Sequence, residues 1–277
     1  MLVQSAYGKS RVRLVQVRRQ GDRHTLRDLT VAIQFKGAYD ESYTDGDNSS
    51  VLPTDTMKNT VYALAAQHPV TDPEPFALRL ARHFLDRNPR LVRTTIDITE
   101  HLWRRIRTGD REHDHAFVRT GPDVRTVRLR ADRRRTNLCS GIADLLVLKS
   151  SHSAFDRFMT DEYTTLPETR DRLLATALTA TWRYREHDLD FGTVWHAARR
   201  ILLETFADHR SESVQHTLHA MGQAVLDAIG DIAAVRLVMP NKHHLAFDLE
   251  RLGLDNRNEI FVPTDEPHGL IEATITR

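Results

Sequence analysis

Apolar and polar residues alternate from Val12 to Val17, and again through Leu29, Val31, Ile33 and Phe35. A period of two is the signature of a half-buried strand, so the chain is expected to open with two strands. A polar connection follows from Tyr39 to Ser50, with the turn-forming run Asp45-Gly46-Asp47-Asn48 inside it. The period then changes. Met57, Val61 and Leu64 fall on one face of a helix, whose cap is expected among Thr54, Asp55 and Thr56. Asp72-Pro73-Glu74 announces a second helix, an N-cap followed by proline at the first helical position. Phe76, Leu80 and Phe84 form its stripe, and Pro89 ends it. Strand patterning returns from Val92 to Trp103 and from Ala116 to Ala131.

The second half repeats this order. Ile142 to Lys149 and Leu174 to Tyr184 read as strands separated by an irregular segment. Val194, Ala198 and Ile201 give one helical stripe, and Val214, Leu218, Met221 and Val225 another. Val235 to Met239 and His243 to Leu249 read as the closing strands; the tail from Gly253 to Arg277 is less periodic, with turn chemistry at Pro263, Asp265 and Pro267. Each half is thus strand-strand-helix-helix-strand-strand, offset by about 135 residues. Strand runs around paired helices predict an antiparallel α+β fold rather than a parallel, doubly wound one. The boundary falls near residue 137, giving domains 1–137 and 138–277 with no Gly/Ser linker between them.

Charge and composition narrow the chemistry. There are 39 basic and 38 acidic residues, so the net charge of +1 leaves no footprint for nucleic acid or an acidic membrane. The basic run from Arg130 to Arg135 is interrupted by Ala131 and Asp132 and reads as a solvated strand end. Cys139 is the single cysteine, which excludes an intrachain disulfide framework, points to a reducing compartment and reads as a small buried apolar residue. No apolar run approaches a membrane span and no leader is evident; the C-terminus lacks the Ser-Lys-Leu peroxisomal address, so a cytoplasmic location is expected. The 12 glycines are too widely spaced to write a dinucleotide loop or a P-loop, which argues against NAD, Rossmann-bound flavin and ATP. Among 15 histidines, neither His113-Asp114-His115 nor the pair His216 and His219 has a third ligand at a recognised spacing, so no metal is expected.

Five segments gather donors, acceptors and one aromatic around turns or helix ends. They are Tyr7-Gly8-Lys9, the run from Pro53 to Asn59, the run from Leu148 to Phe155, the run from Asp161 to Glu168 with Arg172 following, and Pro240-Asn241-Lys242-His243. Only five basic residues are lysine, and Lys9, Lys58, Lys149 and Lys242 all lie in these segments. Arginine serves the general surface, so lysine here points to reversible deprotonation, which arginine cannot supply. Each segment also has a plain reading: Thr54 to Thr56 as a helix cap, Phe155 as core.

Taken in order, the five segments resemble the urate oxidase (uricase) family. So do Ser213-Val214-Gln215 and the tail from Phe261 to Ile271, so that the resemblance runs from Tyr7 to about Ile271. It implies two tandem tunnelling-fold (T-fold) domains, each an antiparallel sheet with two helices on one face. Dimers would close the sheets into a barrel, and two barrels would stack as a homotetramer with sites at the dimer interface. It further implies oxidation of urate by O2 to 5-hydroxyisourate and hydrogen peroxide, with no cofactor. Carried over residue by residue, Arg172 and Gln215 are implied as the clamp on the planar substrate, Phe155 as the stacking ring and Leu166 as an apolar wall. Val214 and Asp55 would contribute backbone contacts, Asn241 would lie near the oxygen side of the ring, and Lys9, Thr54 and His243 would form the proton relay. The physics agrees: a guanidinium offers two parallel donors and an amide one donor beside one acceptor, matching the edge of a purine trione. Pro53 and His244-Leu245 depart from the family pattern without removing a functional residue, and the missing peroxisomal tripeptide points to a bacterial origin.

Two other readings compete. A pterin or purine-derivative enzyme of the wider tunnelling-fold group would share planar-ligand capture, though such enzymes are usually single repeats and some carry zinc ligands this chain does not supply. A ring-binding homologue without activity would not need Lys9, Thr54 and His243 together.

Overall fold

The computed structural model describes residues 4–277 of the chain. It divides into two compact units, one reaching to Gly141 and including Glu186–Gly192, the other made of Ile142–Arg185 and Thr193–Arg277.

In the first unit, β1 (Tyr7–Gln20), β2 (Arg23–Gly37), β3 (Leu91–Thr108) and β4 (Arg111–Ala131) pair as an antiparallel meander. The inward residues of these strands, among them Leu29, Val31, Phe35, Ile96, Ile98 and Leu129, are buried. The polar connection contains one short helix, α1 (Asp40–Thr44), before α2 (Thr54–Gln67) and α3 (Pro73–Arg87). Both longer helices bury the stripes that the periodicity marks out: Met57, Val61 and Leu64 on α2, and Phe76, Leu80 and Phe84 on α3.

The caps differ from expectation. The N-cap position of α2 is Pro53, and no side chain caps it, so Thr54, Asp55 and Thr56 are all inside the helix. Asp72 does occupy the N-cap position of α3 but makes no capping bond. Its carboxylate turns instead to Arg125, which donates to it over 2.9 Å and holds the fully buried Glu74 with two bonds of 2.6 and 3.3 Å. A charge taken out of water demands such partners, and the ion pair outcompetes a weaker cap. Arg133, in the basic run, donates to the carbonyls of Leu85, Asn88 and Leu91 and ties down the end of α3.

β5 (Thr136–Lys149) leads into the second unit, which holds β6 (Leu174–Tyr184), most of α4 (Phe191–Asp208), α5 (Val214–Ala228) and β7 (Ile232–Pro240). Cys139 on β5 is half-buried rather than buried. Beyond Phe191 at its start, the buried side chains on α4 are Trp195, Ala198, Leu202 and Phe206, so the stripe is rotated by about one residue from Val194 and Ile201. The two aromatic rings carry more apolar area than the aliphatic residues they displace. On α5, Val214, Leu218, Met221 and Val225 are buried as expected.

The closing strand is also corrected. β8 (His243–Ala246) is short and pairs only with β9 (Phe261–Thr264), in a separate two-stranded sheet. β7 lies between β6 and β10 (Leu270–Thr276), the latter in the weakly periodic tail. Only Ile275 of β10 is buried; it packs where α5 comes close at Gly222, whose Cβ would sit 2.6 Å from the Ile275 Cδ1. An edge strand burying one residue leaves almost no alternation to read.

Candidate functional site

The first unit presents Lys9, Thr54 and Asp55. Gly8 approaches β2 so closely that a Cβ there would lie 1.9 Å from the Ile33 carbonyl oxygen, which fixes the path of the chain next to Lys9. Tyr7 packs edge-on against Phe35 and Tyr39, with centroids 5.7 and 5.0 Å away, and burial raises its phenol pKa. Its hydroxyl oxygen accepts the Leu52 N–H at 3.1 Å, so one aromatic side chain ties β1 to the loop that delivers Thr54.

At the start of α2 the first intrahelical bond runs from the Met57 N–H to the Pro53 carbonyl. The N–H groups of Thr54, Asp55 and Thr56 therefore have no acceptor within the helix, and the half-buried Thr54 hydroxyl is not engaged as a cap. The Asp55 carboxylate folds back onto Lys58 and Asn59 of its own helix. Lys58 is the main reason its pKa is lowered, with a smaller contribution from Lys9. That leaves the Asp55 backbone, rather than its side chain, turned to the end of the helix.

The second unit presents the remaining residues, and the irregular segment 150–173 is better ordered than its sequence advertises. Phe155 and Thr169 exchange backbone bonds of 2.7 and 3.0 Å. The Arg172 N–H donates to the Ser153 carbonyl at 2.8 Å, and the Ala154 N–H to that of Ser211 at 2.7 Å. These bonds draw Phe155, Arg172 and the approach to α5 into one knot. The Arg172 guanidinium lies 5.4 Å over the Phe155 ring, a cation–π contact, and Phe158 stacks against that ring at 4.9 Å. The Nε of Arg172 is buried and has no hydrogen-bond partner among the described residues, and burial lowers the guanidinium pKa. Buried donors are nearly always satisfied, so the Arg172 guanidinium is a candidate to hold a polar group.

Helix α5 is capped by Ser213, whose side chain accepts the His216 N–H at 3.1 Å. The Val214 and Gln215 N–H groups thus have no intrahelical acceptor. Val214 buries its side chain while Gln215 is exposed, so the first can act only through its backbone and the second through its amide. Asn241 bridges to Thr176 and its N–H donates to the Gly269 carbonyl at 2.7 Å; the Lys242 N–H donates to Ala175 at 2.9 Å. Because β6 and β7 are antiparallel, this puts Asn241, Lys242 and His243 at the end of the sheet where Arg172 enters β6. Leu166 stands apart, 59% exposed in a segment that also exposes Met159 and Tyr163.

Lys149 has a place that sequence reasoning marked without explaining. It donates to the His209 carbonyl and lies 5.6 Å over the Phe206 ring, and burial lowers its pKa. It therefore braces the clamp segment against the connection between α4 and α5. Among the histidines, the His216 ring packs on His209 at 4.3 Å and the His113 ring on His115 at 4.5 Å. Among the described residues, no group of three or more His, Cys, Asp or Glu side chains is arranged to hold a metal ion.

A guanidinium over an aromatic ring, with an amide and free helix N–H groups beside it, suits a flat ring with a polar, electron-rich edge. The uricase family model matches residues 5–130 and 138–272, one match in each repeat. A uricase from Arthrobacter globiformis is 43% identical over 277 residues, spanning 100% of this chain and 90% of that protein. One from Dictyostelium discoideum is 37% identical over 280 residues, spanning 100% and 97%. The crystal structure of the Arthrobacter globiformis uricase superposes with a TM-score of 0.95 at 42% identity, covering 100% of this chain and 95% of that one. A hyperthermostable mutant of Bacillus sp. TB-90 urate oxidase gives 0.87 at 25% identity, covering 99% of each. The chain belongs to the uricase family.

Proposed function

We propose that this chain oxidises urate with molecular oxygen, yielding 5-hydroxyisourate and hydrogen peroxide. The observation that carries the reading is the Arg172 guanidinium over the Phe155 ring, with its buried Nε donating to none of the described residues. In this reading Arg172 and Gln215 hold the substrate edge, Phe155 covers one face, Leu166 walls the ring, and the N–H groups of Val214 and Asp55 complete the contacts. Two electrons and two protons pass from urate to O2, forming hydrogen peroxide, and water then adds to the oxidised ring. Lys9, through the Thr54 hydroxyl and with His243, takes and returns the protons, while Asn241 lies on the oxygen side. A urate anion deprotonated further in the site is electron-rich enough to be its own reductant. The protein needs only to hold the ring, move protons and stabilise charge, and no cofactor is invoked.

The same proposal covers assembly. The complete site takes Lys9, Thr54 and Asp55 from one protomer and Phe155, Arg172 and Gln215 from its neighbour, with the T-fold domains 1–137 and 138–277 forming barrels in a homotetramer. No helix among the described residues is long and apolar enough to cross a membrane, and the single cysteine fits a cytoplasmic setting. The test is direct. Protein dialysed against chelator, with no flavin added, consumes urate and O2 in equal amounts and releases peroxide. Activity lost on dialysis and restored by one metal ion overturns the cofactor-free part; no urate consumption at all overturns the whole.

A further inference from the structure

The first strand changes face partway along. Val12 and Leu14 are buried, opposite the buried Val31 and Leu29. Side chains of a strand alternate strictly, so an unbroken β1 would carry Ser10 and Gly8 to that buried face and turn Lys9 away from it. The pairing breaks instead between Lys9 and Val12. Lys9 stands opposite Ile33 and Val12 opposite Val31, so that Ser10 and Arg11 together face Ala32. Two residues against one make a β-bulge, and here it is formed with Arg11 in the left-handed region, at φ 57°. Residues directly opposed in an antiparallel pair share a face. Ile33 is 3% exposed, and Tyr7, farther out, is opposite the buried Phe35. Lys9 therefore joins the helix-bearing face, where α2 begins with Thr54 and where its charge reaches Asp55.

The second repeat has the same device without the chemistry. Asp144 on β5 has φ 58°, and the buried residues flanking it, Ile142 and Leu145, are three apart instead of two. The interval from Arg11 to Asp144 matches the repeat offset of about 135 residues. Ile142, fully buried, occupies the place that Lys9 occupies in the first repeat.

We propose that Arg11 is a positioning residue for the proton relay: its left-handed backbone fixes the bulge that holds Lys9 on the helix face beside Thr54. The inference rests on Lys9 being the relay lysine. Only the backbone conformation is required of Arg11, so variants that all lose the guanidinium should divide by their tolerance of positive φ. Arg11→Gly adopts it freely and Arg11→Val resists it. Arg11→Val is expected to lower kcat about 100-fold or more, on the scale of a lost proton-transfer group, while binding urate normally in the absence of oxygen. Arg11→Gly, the conformationally conservative variant, keeps kcat within about twofold. If Arg11→Val does not fold, Arg11→Thr, β-branched but smaller, replaces it. Equal losses in the glycine and β-branched variants would mean the guanidinium matters, and would overturn the proposal. A crystal structure of the β-branched variant separates the remaining cases. Lys9 still opposite Ile33 overturns the role of Arg11. Lys9 moved opposite Gln34 with turnover intact leaves the bulge argument standing and removes Lys9 from the relay.

Discussion

Lys9 and Ile142 sit at matching points of the two repeats, each just before a left-handed bulge residue, and they serve opposite ends. Ile142 contributes a side chain to a core. Lys9 contributes an amine at the edge of one, beside a helix whose first N–H groups lack acceptors. The two halves also present their shares of the proposed site differently. The first uses regular elements, a strand start and a helix start, joined by Tyr7. The second uses the irregular segment 150–173, knotted by backbone bonds around Phe155 and Arg172. Proton transfer depends on the distance between two groups, which rigid elements set well. Ring capture depends on shape, and an irregular segment can wrap a flat ligand as no single strand can.

The largest effect should come from exchanging the two matched residues. Ile142→Lys buries an amine with no partner and is expected to destabilise the protein by about 4 kcal/mol or more. Lys9→Ile should leave the unfolding midpoint nearly unchanged and abolish turnover. Thermal unfolding of both variants decides the matter. A well-folded Ile142→Lys protein would mean that position 142 accepts an amine as position 9 does, and would erase the contrast between them.

Next in size is the division between chemistry and capture. Lys9→Met is expected to lower kcat by roughly 10²–10⁴-fold with little change in anaerobic urate binding. Arg172→Ala should weaken that binding by about 1.5–3 kcal/mol, roughly 10- to 150-fold, as expected for a hydrogen bond to a charged group. A Lys9→Met enzyme with normal kcat and a raised KM would reverse the roles given to the two halves.

The two variants can then be combined. If each site draws on two protomers, co-expressing Lys9→Met with Arg172→Ala gives mixed dimers with one site carrying both lesions and the other neither. Random assortment makes half the dimers mixed, so about a quarter of normal activity should return. Mixed dimers that form and stay inactive would place the whole site within one chain.

Much of this was legible in the residues. Alternation located β1, β2 and β6, and helical stripes located α2, α3 and α5, because each buries one face against a sheet or its neighbour. The family motifs are what the proposed clamp and relay rest on. Other features were hidden for definite reasons. Alternation cannot find β10, which buries only Ile275. Capping rules cannot foresee that Asp72 answers to Arg125, since that partner is far away in the chain. The bulge did leave a trace, with Tyr7 and Lys9 in odd positions and Val12 and Leu14 in even ones, but two residues are too few to establish a change of phase. Backbone satisfaction of the segment 150–173 leaves no periodic signal at all.

The smallest effect concerns acid. His209 lies behind the second half of the site, its ring 3.2 Å from the Thr217 hydroxyl and packed on His216. Burial first, then His216 and Lys149, lowers its pKa from the ordinary 6.5. The folded protein therefore binds fewer protons at this site than the unfolded chain once the pH falls below about 6.5. Stability contributed by the neutral ring is present above that pH and declines as the pH falls from there toward the folded-state value. Burial also lowers the pKa of His83 and His101 in the first unit, so they contribute to the same slope. His209→Gln can keep a hydrogen bond to Thr217 but has no proton to gain. It should make the loss of stability between pH 7 and pH 5.5 shallower without abolishing it, and anaerobic urate binding should lose less of its strength over that range, because α5 carries Val214 and Gln215. Denaturant midpoints measured across that range for the two proteins give the comparison. An unchanged slope would show that His209 takes up its proton as readily in the fold as in the open chain.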